Sequence, residues 1–376
     1  MDIESILAPK IVDFEALEEF VEVLHDTTPV IERDMSRLKR NPNDGKIIGD
    51  LFRALHNIKG DAALCRIELA VTIAHPLETL LARLRSKEIT FGEVLSETIL
   101  LSIDRLELAM ENLHSHRSLE NLRLPVLIQG LEKLAATPAD NIETAASDLI
   151  EAVTDFRPIA QSTAKFATVP AESPVPAADS APVASPQTRD TLLFFRSLAE
   201  QIESRLAPFK GRTQRLLRLA IETNRLRDRI VDPIQLEAAI YMHDVGMMFL
   251  PEKVWLKAGK MTLGERAALR NHTGYAAGLL SRMAGWETAA EIVAQHHEML
   301  DGKGYPRGMT AQTICDGAKI MAIVDAFESI ILKHASHGKN RSLLRAIAEI
   351  NACENQFAPE WIKPFNQVIR RTIDHS

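Results

Sequence analysis

Apolar residues recur three and four positions apart along most of this chain, and no stretch alternates apolar with polar over the length of a strand. That period is helical, so the pattern predicts an all-α protein. Asp13 reads as an N-cap ahead of Ala16, Leu17, Phe20, Val21 and Leu24. The run Asn41, Pro42, Asn43, Asp44, Gly45 breaks that helix. Further helices are expected over about 46–67, 69–85 and 90–114. Short breaks between long amphipathic helices predict an antiparallel helical bundle over residues 1–135, followed by an extra helix, Asn141 to Phe156, within 136–157.

The pattern then fails. Between Pro158 and Pro186 the sequence is rich in Pro, Ala and Ser, as in AESPVPAADSAPVASP, and large apolar side chains almost vanish. Such a stretch cannot bury enough surface to offset its chain entropy, so residues 158–190 are expected to be a partly extended linker. Helical patterning resumes at Thr191, with breaks near Pro208, Pro233, Pro251, Gly285, Asp301–Pro306 and Pro359. Residues 191–376 are therefore expected to form a second helical domain.

Composition narrows the class. A length of 376 residues exceeds what one core usually supports, which agrees with two domains. A net charge of −7 excludes a general attraction to DNA or to acidic membranes. Cys65, Cys315 and Cys353 are scattered, which fits a reducing compartment. The first residues lack a secretory signal pattern, and no apolar run approaches the ~20 residues of a membrane span. A cytoplasmic protein with neither membrane nor DNA partners is expected.

Candidate chemistry appears first in LFRALHNIKGDAALCRI. Leu51, Leu55, Ile58 and Ala62 share one stripe of the helix, so His56 faces away from it. Arg53, Lys59, Gly49, Gly60 and Ala63 surround His56 on the wheel. The small residues leave room for a docking protein, and the cations suit an arriving phosphoryl group. On the next helix, in AHPLETLLARL, Glu78 could accept the proton of one ring nitrogen and make the other a better nucleophile. A lone exposed histidine is ordinarily just a surface residue. The full pattern, HxxKG followed by HxxE, resembles histidine phosphotransfer (Hpt) domains over roughly residues 10–120. The resemblance implies that His56 is the phospho-accepting residue, that Lys59 and Gly60 belong to its motif, and that Glu78 orients the ring. Family members often carry glycine where Arg66 stands here. No ATP-binding kinase motif follows, so the implied phosphodonor is a response-regulator receiver domain or a histidine kinase.

A second constellation spans YMHDVG, His272, QHHEMLDGKGYP and KIMAIVDAF. Its four histidines and two aspartates are the mixed N/O donors that transition metals prefer. His243 shares a face with Leu236 and Ile240 and points inward, where a hydrogen-bonded core histidine is the ordinary reading. Asp325 lies among Ile320, Met321, Ile323, Val324 and Phe327, where an ionised carboxylate is costly unless compensated, as a metal would compensate it. His296 and His297 diverge by about 100° on a helix, so they converge only on a wide site such as two adjacent metals. Asp301, Gly302, Gly304, Tyr305 and Pro306 predict a tight, stiffened turn.

Together these pieces resemble the HD-GYP family of the HD metal-dependent phosphohydrolases over about residues 192–371. The resemblance implies an all-α HD-GYP domain that hydrolyses cyclic di-GMP with two transition-metal ions, iron or manganese. It implies the ligands His243, Asp244, His272, His296, His297 and Asp325, with His243 and Asp244 catalytic and Asp301 to Pro306 forming the substrate loop. Three departures stand out. Met247 replaces the lysine of the family's HDxGK, and Arg212 stands where a further histidine is usual. The segment Lys333 to Lys339 replaces a phosphate-binding Arg-Pro-Tyr-Arg, leaving Lys333, His334 or Lys339 as substitutes. Two readings follow: a phosphodiesterase regulated through His56, or a catalytically degenerate domain that senses a nucleotide or docks a partner.

Overall fold

The computed structural model describes residues 13–158, 185–205, 209–257, 261–335, 343–353 and 355–374. Among them there is no strand, only helices and one isolated bridge between Asp301 and Thr310, as the helical period requires. They fall into two compact units, one within Met1–Thr163 and His337–Ala352, the other within Ala164–Ser336 and Cys353–Ser376.

The first unit begins with α1 (Phe14–Arg40), α2 (Gly45–Leu64), α3 (Glu68–Arg85) and α4 (Glu93–His114). Asp13 caps α1 by accepting from the backbone N–H groups of Glu15 and Ala16 at 3.0 and 3.1 Å. Asp44 does the same for α2, accepting from Lys46 and Ile47 at 3.0 and 3.2 Å. The predicted apolar stripes are buried at Leu17, Phe20 and Leu24 of α1 and at Leu51, Leu55, Ile58 and Ala62 of α2, and Leu77 and Leu81 of α3 are buried as well. The second helix stops three residues earlier than the expected Ile67, because Arg66 turns left-handed at φ 57° and Ile67 N–H closes onto Ala62 C=O at 2.9 Å. A side chain at that φ is unfavourable, which accounts for the glycine usual at this position. Two further helices, α5 (Leu124–Ala136) and α6 (Ile142–Thr154), pack against α3 and α4 respectively. The sequence pattern had not separated α5 from the bundle's other helices.

The second unit contains α7 (Pro186–Glu203), α8 (Arg212–Arg225), α9 (Pro233–Met242), α10 (Glu252–Trp255), α11 (Leu263–Arg270), α12 (His272–Leu280), α13 (Glu287–Gln295) and α14 (Asp316–Ala335). α7 starts at Pro186, inside the segment expected to be linker, because Ser185 caps it and Pro186 fits its first turn. The rest of that expected linker, residues 159–184, lies outside the described residues, as does the expected break at Pro208. α8 and α14 cross at the centre, with Leu216, Ile320, Val324 and Phe327 buried between neighbours.

Of the last two helices, α15 (Leu343–Ala352) and α16 (Pro359–Asp374), only α16 belongs with the second unit. Its Trp361 donates from Nε1 to Asp316 at 2.8 Å. α15 was expected within the 191–376 domain, yet it packs on α4 and α6 of the first unit. The reason is electrostatic as well as apolar. Arg345 is buried and forks onto Asp104 of α4, and its Nη2 also donates to Glu32 of α1 at 2.7 Å. Arg105 returns a bond to Ala348 C=O at 2.9 Å. Burial opposes the charge on Arg345, but Asp104 and Glu32 outweigh it and raise the guanidinium pKa. No helix among the described residues is long and apolar enough to cross a membrane.

Two stability outcomes follow from these contacts. Arg345→Ala strands buried acids and should cost the full chain about 3–5 kcal/mol in denaturant unfolding. Arg66→Gly relieves the left-handed residue and should add roughly 0.5–1 kcal/mol, read from the same curves.

Candidate functional site

In the first unit, α2 carries His56 outward, with its side chain 60% exposed. The ring is nevertheless held. Its Nδ1 lies 2.6 Å from Oε1 of Glu78 on α3, and the other carboxylate oxygen takes Lys59 Nζ. Because a carboxylate only accepts, Nδ1 carries the hydrogen and Nε2 keeps its lone pair toward solvent. Burial works to raise the Glu78 pKa, but hydrogen bonds from Lys59 and His56 outweigh it and keep the carboxylate ionised below its ordinary range. Phe52 lies nearly parallel to the His56 ring at 6.1 Å, and the Arg85 guanidinium lies over the Phe52 ring at 4.1 Å. A Cβ added at Gly49 or Gly60 would meet no atom within 4 Å. Packing within the chain therefore does not demand glycine at either place, and both leave the face around His56 open.

In the second unit, α9 ends at Met242 and delivers His243 and Asp244 to a 3-10 turn, Val245–Phe249. Gly246 lets this turn touch α12, since a Cβ there would sit 1.9 Å from His272 C=O. That contact brings His272 Nε2 to 3.8 Å from Asp244 Oδ1. His296 and His297 were expected to diverge, yet their ring centroids are 4.0 Å apart. α13 stops at Gln295, and the two histidines lie in the turn that follows it. His272 and His297 are 5.2 Å apart, and His243 and His296 are 5.6 Å apart.

Three of these rings share one device. His243, His272 and His296 each donate Nδ1–H to the C=O three residues earlier, that of Ile240, Leu269 and Val293, at 2.7, 2.6 and 2.7 Å. Nε2 of His272 and of His296 is thereby left with its lone pair available, the arrangement that orients metal-binding histidines, whereas Nε2 of His243 faces Asp244. Burial, reinforced by neighbouring histidines, pushes His296 well below its ordinary pKa, and burial brings His297 down to about 4. Neutral rings are the ligand form.

The six expected ligands do not make one uniform site. Ligand atoms of His272, His296 and His297 lie within 4.8 Å of one another, and Nε2 of His272 and of His296 are buried with no hydrogen-bond partner. This half fits a transition-metal ion. The other half does not, because Arg212 fills it. Its Nη1 donates to Asp244 Oδ2 at 2.9 Å and lies 3.4 Å from His243 Nε2, while its Nη2 donates to Asp325 Oδ1. Asp325 thus receives its compensating charge from a guanidinium, where the sequence pattern had expected a metal. Burial disfavours the charge on Arg212, but Asp325 and Asp244 outweigh it and raise its pKa. Burial likewise opposes charge on His243, yet Asp244 at 3.1 Å keeps its pKa above the usual value.

The DGxGYP turn closes beside His297. Gly302 is left-handed at φ 75°, and a Cβ on Gly304 would fall 2.3 Å from Met299 N. Tyr305 N–H donates to His297 C=O at 3.1 Å, and the two rings lie 4.8 Å apart. Asp301 accepts from Lys303 N–H at 3.0 Å inside the turn. Two contributors were missed in the sequence. Glu298 is buried and accepts from the backbones of Arg307 and Met309 at 2.6 and 2.9 Å, pinning the loop; its place directly after two histidines was the available signal. Arg270, an exposed cation over the Tyr305 ring at 5.1 Å, had no signal in spacing. Met247 is half-buried in the 3-10 turn. The Lys333 and His334 side chains and Lys339 lie outside the described residues.

Comparison with known families assigns both halves. Residues 15–116 match the model of the Hpt domain, and residues 196–360 match that of the HD domain. The protein therefore joins an Hpt domain to an HD domain. With its intact DGxGYP turn, the second is an HD domain of the HD-GYP kind, as the sequence motifs indicated.

Several phosphodiesterases are similar to part of this chain. A cyclic di-GMP phosphodiesterase of Thermotoga maritima is 29% identical over 143 residues, 37% of this chain and 39% of that protein. The cyclic di-GMP phosphodiesterase response regulator RpfG of Xanthomonas campestris is 30% identical over 145 residues, 38% of each chain. A 3′3′-cGAMP-specific phosphodiesterase of Vibrio cholerae is 32% identical over 101 residues, 26% of this chain and 23% of that protein. The chain thus spans less than two fifths of the length of these relatives.

The close approach of the HD turn to α12 yields a direct check. Gly246→Ala forces its Cβ against a backbone carbonyl and should destabilise by about 2 kcal/mol. Gly264→Ala, where a Cβ meets nothing within 4 Å, should leave the thermal melt within experimental error of the parent.

Proposed function

We propose that this is a two-component signalling output protein: it receives a phosphoryl group on His56, and its HD-GYP domain acts on cyclic di-GMP as a metal-dependent phosphodiesterase. The observation that carries the first half is the Glu78 contact at Nδ1 of an exposed ring. With Nδ1–H engaged, Nε2 is the nucleophile. It attacks the phosphorus of an aspartyl phosphate on a receiver domain; the N–P bond forms as the O–P bond breaks, and the aspartate leaves as carboxylate. Glu78 stabilises the positive charge that develops on the ring, and Lys59 stands beside the incoming oxyanions. A histidine kinase is the alternative donor.

For the second half, the relatives' named substrate supports cyclic di-GMP. A transition-metal ion on His272, His296 and His297 would supply Lewis-acid chemistry toward phosphate and water. The chain's own residues have other tasks. The Nδ1 bonds of His272 and His296 orient the donor nitrogens, and Glu298 fixes the loop that presents Tyr305. Tyr305 and Arg270 together offer an aromatic face and a cation suited to a guanine base and its phosphate.

A second reading is favoured by Arg212 and Met247. In it the domain holds the dinucleotide without cutting it, since the arginine occupies both Asp244 and Asp325.

Incubating the full chain with a phosphorylated receiver should label the parent, with acid-labile phosphate, and leave His56→Gln unlabelled. Glu78→Gln should label on the order of 100-fold more slowly. Label that persists in His56→Gln removes the first half. Linear dinucleotide formed from cyclic di-GMP supports hydrolysis, saturable binding without product supports the second reading, and neither binding nor product rules out both.

A further inference from the structure

We propose that the Arg212 guanidinium is a built-in cation occupying the place of one metal ion, so that this HD-GYP domain holds a single transition-metal ion, on His272, His296 and His297. The inference rests on the reading of the second domain as metal-binding and assigns the number and position of the ion within it.

The first argument is charge. Asp244, just past the end of α9, and Asp325 of α14 come to one buried place, with their side chains 15% and 14% exposed. Two carboxylates there require a cation. Arg212 provides it with one arm on each, and a guanidinium does not lose its proton. The same arm that meets Asp244 lies 3.4 Å from His243 Nε2. His243 Nε2 and one oxygen of each aspartate therefore face the guanidinium, and a divalent ion would have to displace a fixed positive charge to reach them.

The second argument is that the arginine is anchored. It is buried at the first position of α8, where a cation lies against the helix dipole and is ordinarily disfavoured. Glu203 of α7 offsets this by accepting from the backbone N–H of Gly211 at 2.9 Å and of Thr213, tying down the helix start. The Phe209 ring lies 5.7 Å from the guanidinium. This is unlike a surface arginine that swings away when an ion arrives.

The third argument is the contrast across the site. Nε2 of His243 has Arg212 and Asp244 beside it, whereas Nε2 of His272 and of His296 are buried and without a hydrogen-bond partner. Buried acceptors without partners are costly unless something binds them. The side that asks for an ion and the side that already has a cation are thus different sides.

The test is metal stoichiometry with manganese(II) as the probe. The full chain, loaded and desalted, is measured by elemental analysis and by electron paramagnetic resonance, which separates an isolated ion from a coupled pair. The parent should hold one ion per chain with the signal of an isolated centre. Arg212→Lys should also hold one. Arg212→His, which exchanges the cation for a neutral donor, should hold two and show coupling. His296→Ala should bring the parent close to none. Two coupled ions in the parent overturn the inference while leaving the metal reading intact, and one ion in Arg212→His overturns it as well. No ion in either the parent or Arg212→His removes the metal reading and the inference with it.

Discussion

An ionised carboxylate buried among helices must meet a cation, and both units of this protein are organised around that requirement. In the first, Asp104 and Glu32 converge on Arg345, which brings a helix from far along the chain onto the bundle. In the second, Asp244 and Asp325 converge on Arg212 at the centre of the expected catalytic site. The two arrangements have the same physics and opposite meanings. One fixes where a helix docks. The other takes up the electrostatic demand that would otherwise draw in a metal ion.

Much of the fold was legible because the helical period survives in nearly every segment. The stripe of Leu51, Leu55 and Ile58 fixed the outward direction of His56, and Glu78 lies where the HxxE pattern required. The destination of α15 was not legible. An amphipathic helix declares that it will bury one face and says nothing of which neighbour covers it. Only the pairing of Arg345 with Asp104 and Glu32 decides that, and those partners are 241 and 313 positions away.

The site was legible in membership and less so in geometry. All six expected His and Asp residues gather in one unit, but His296 and His297 lie past a helix end that no single residue announces. Arg212 could be recognised as standing in place of a histidine. Its reach to both aspartates could not, because a long side chain at a helix start has many directions open to it. Arg270 was invisible for a related reason: its relation to Tyr305 is created by the folding of the GYP turn.

The placement of α15 bears on how such a protein arises. The chain leaves its first unit, builds most of the second, gives one helix back, and then completes the second with α16. Architectures assembled by joining whole modules end to end have one seam, and either module can be exchanged for another. Here the seam is stitched twice. A recombination event at the Pro/Ala-rich segment would deliver a phosphotransfer bundle without the arginine its acids require, and a partner carrying an amphipathic helix with nothing to cover it. A change in the first unit is therefore constrained by ten residues, α15, that lie far beyond the Pro/Ala-rich segment in the sequence.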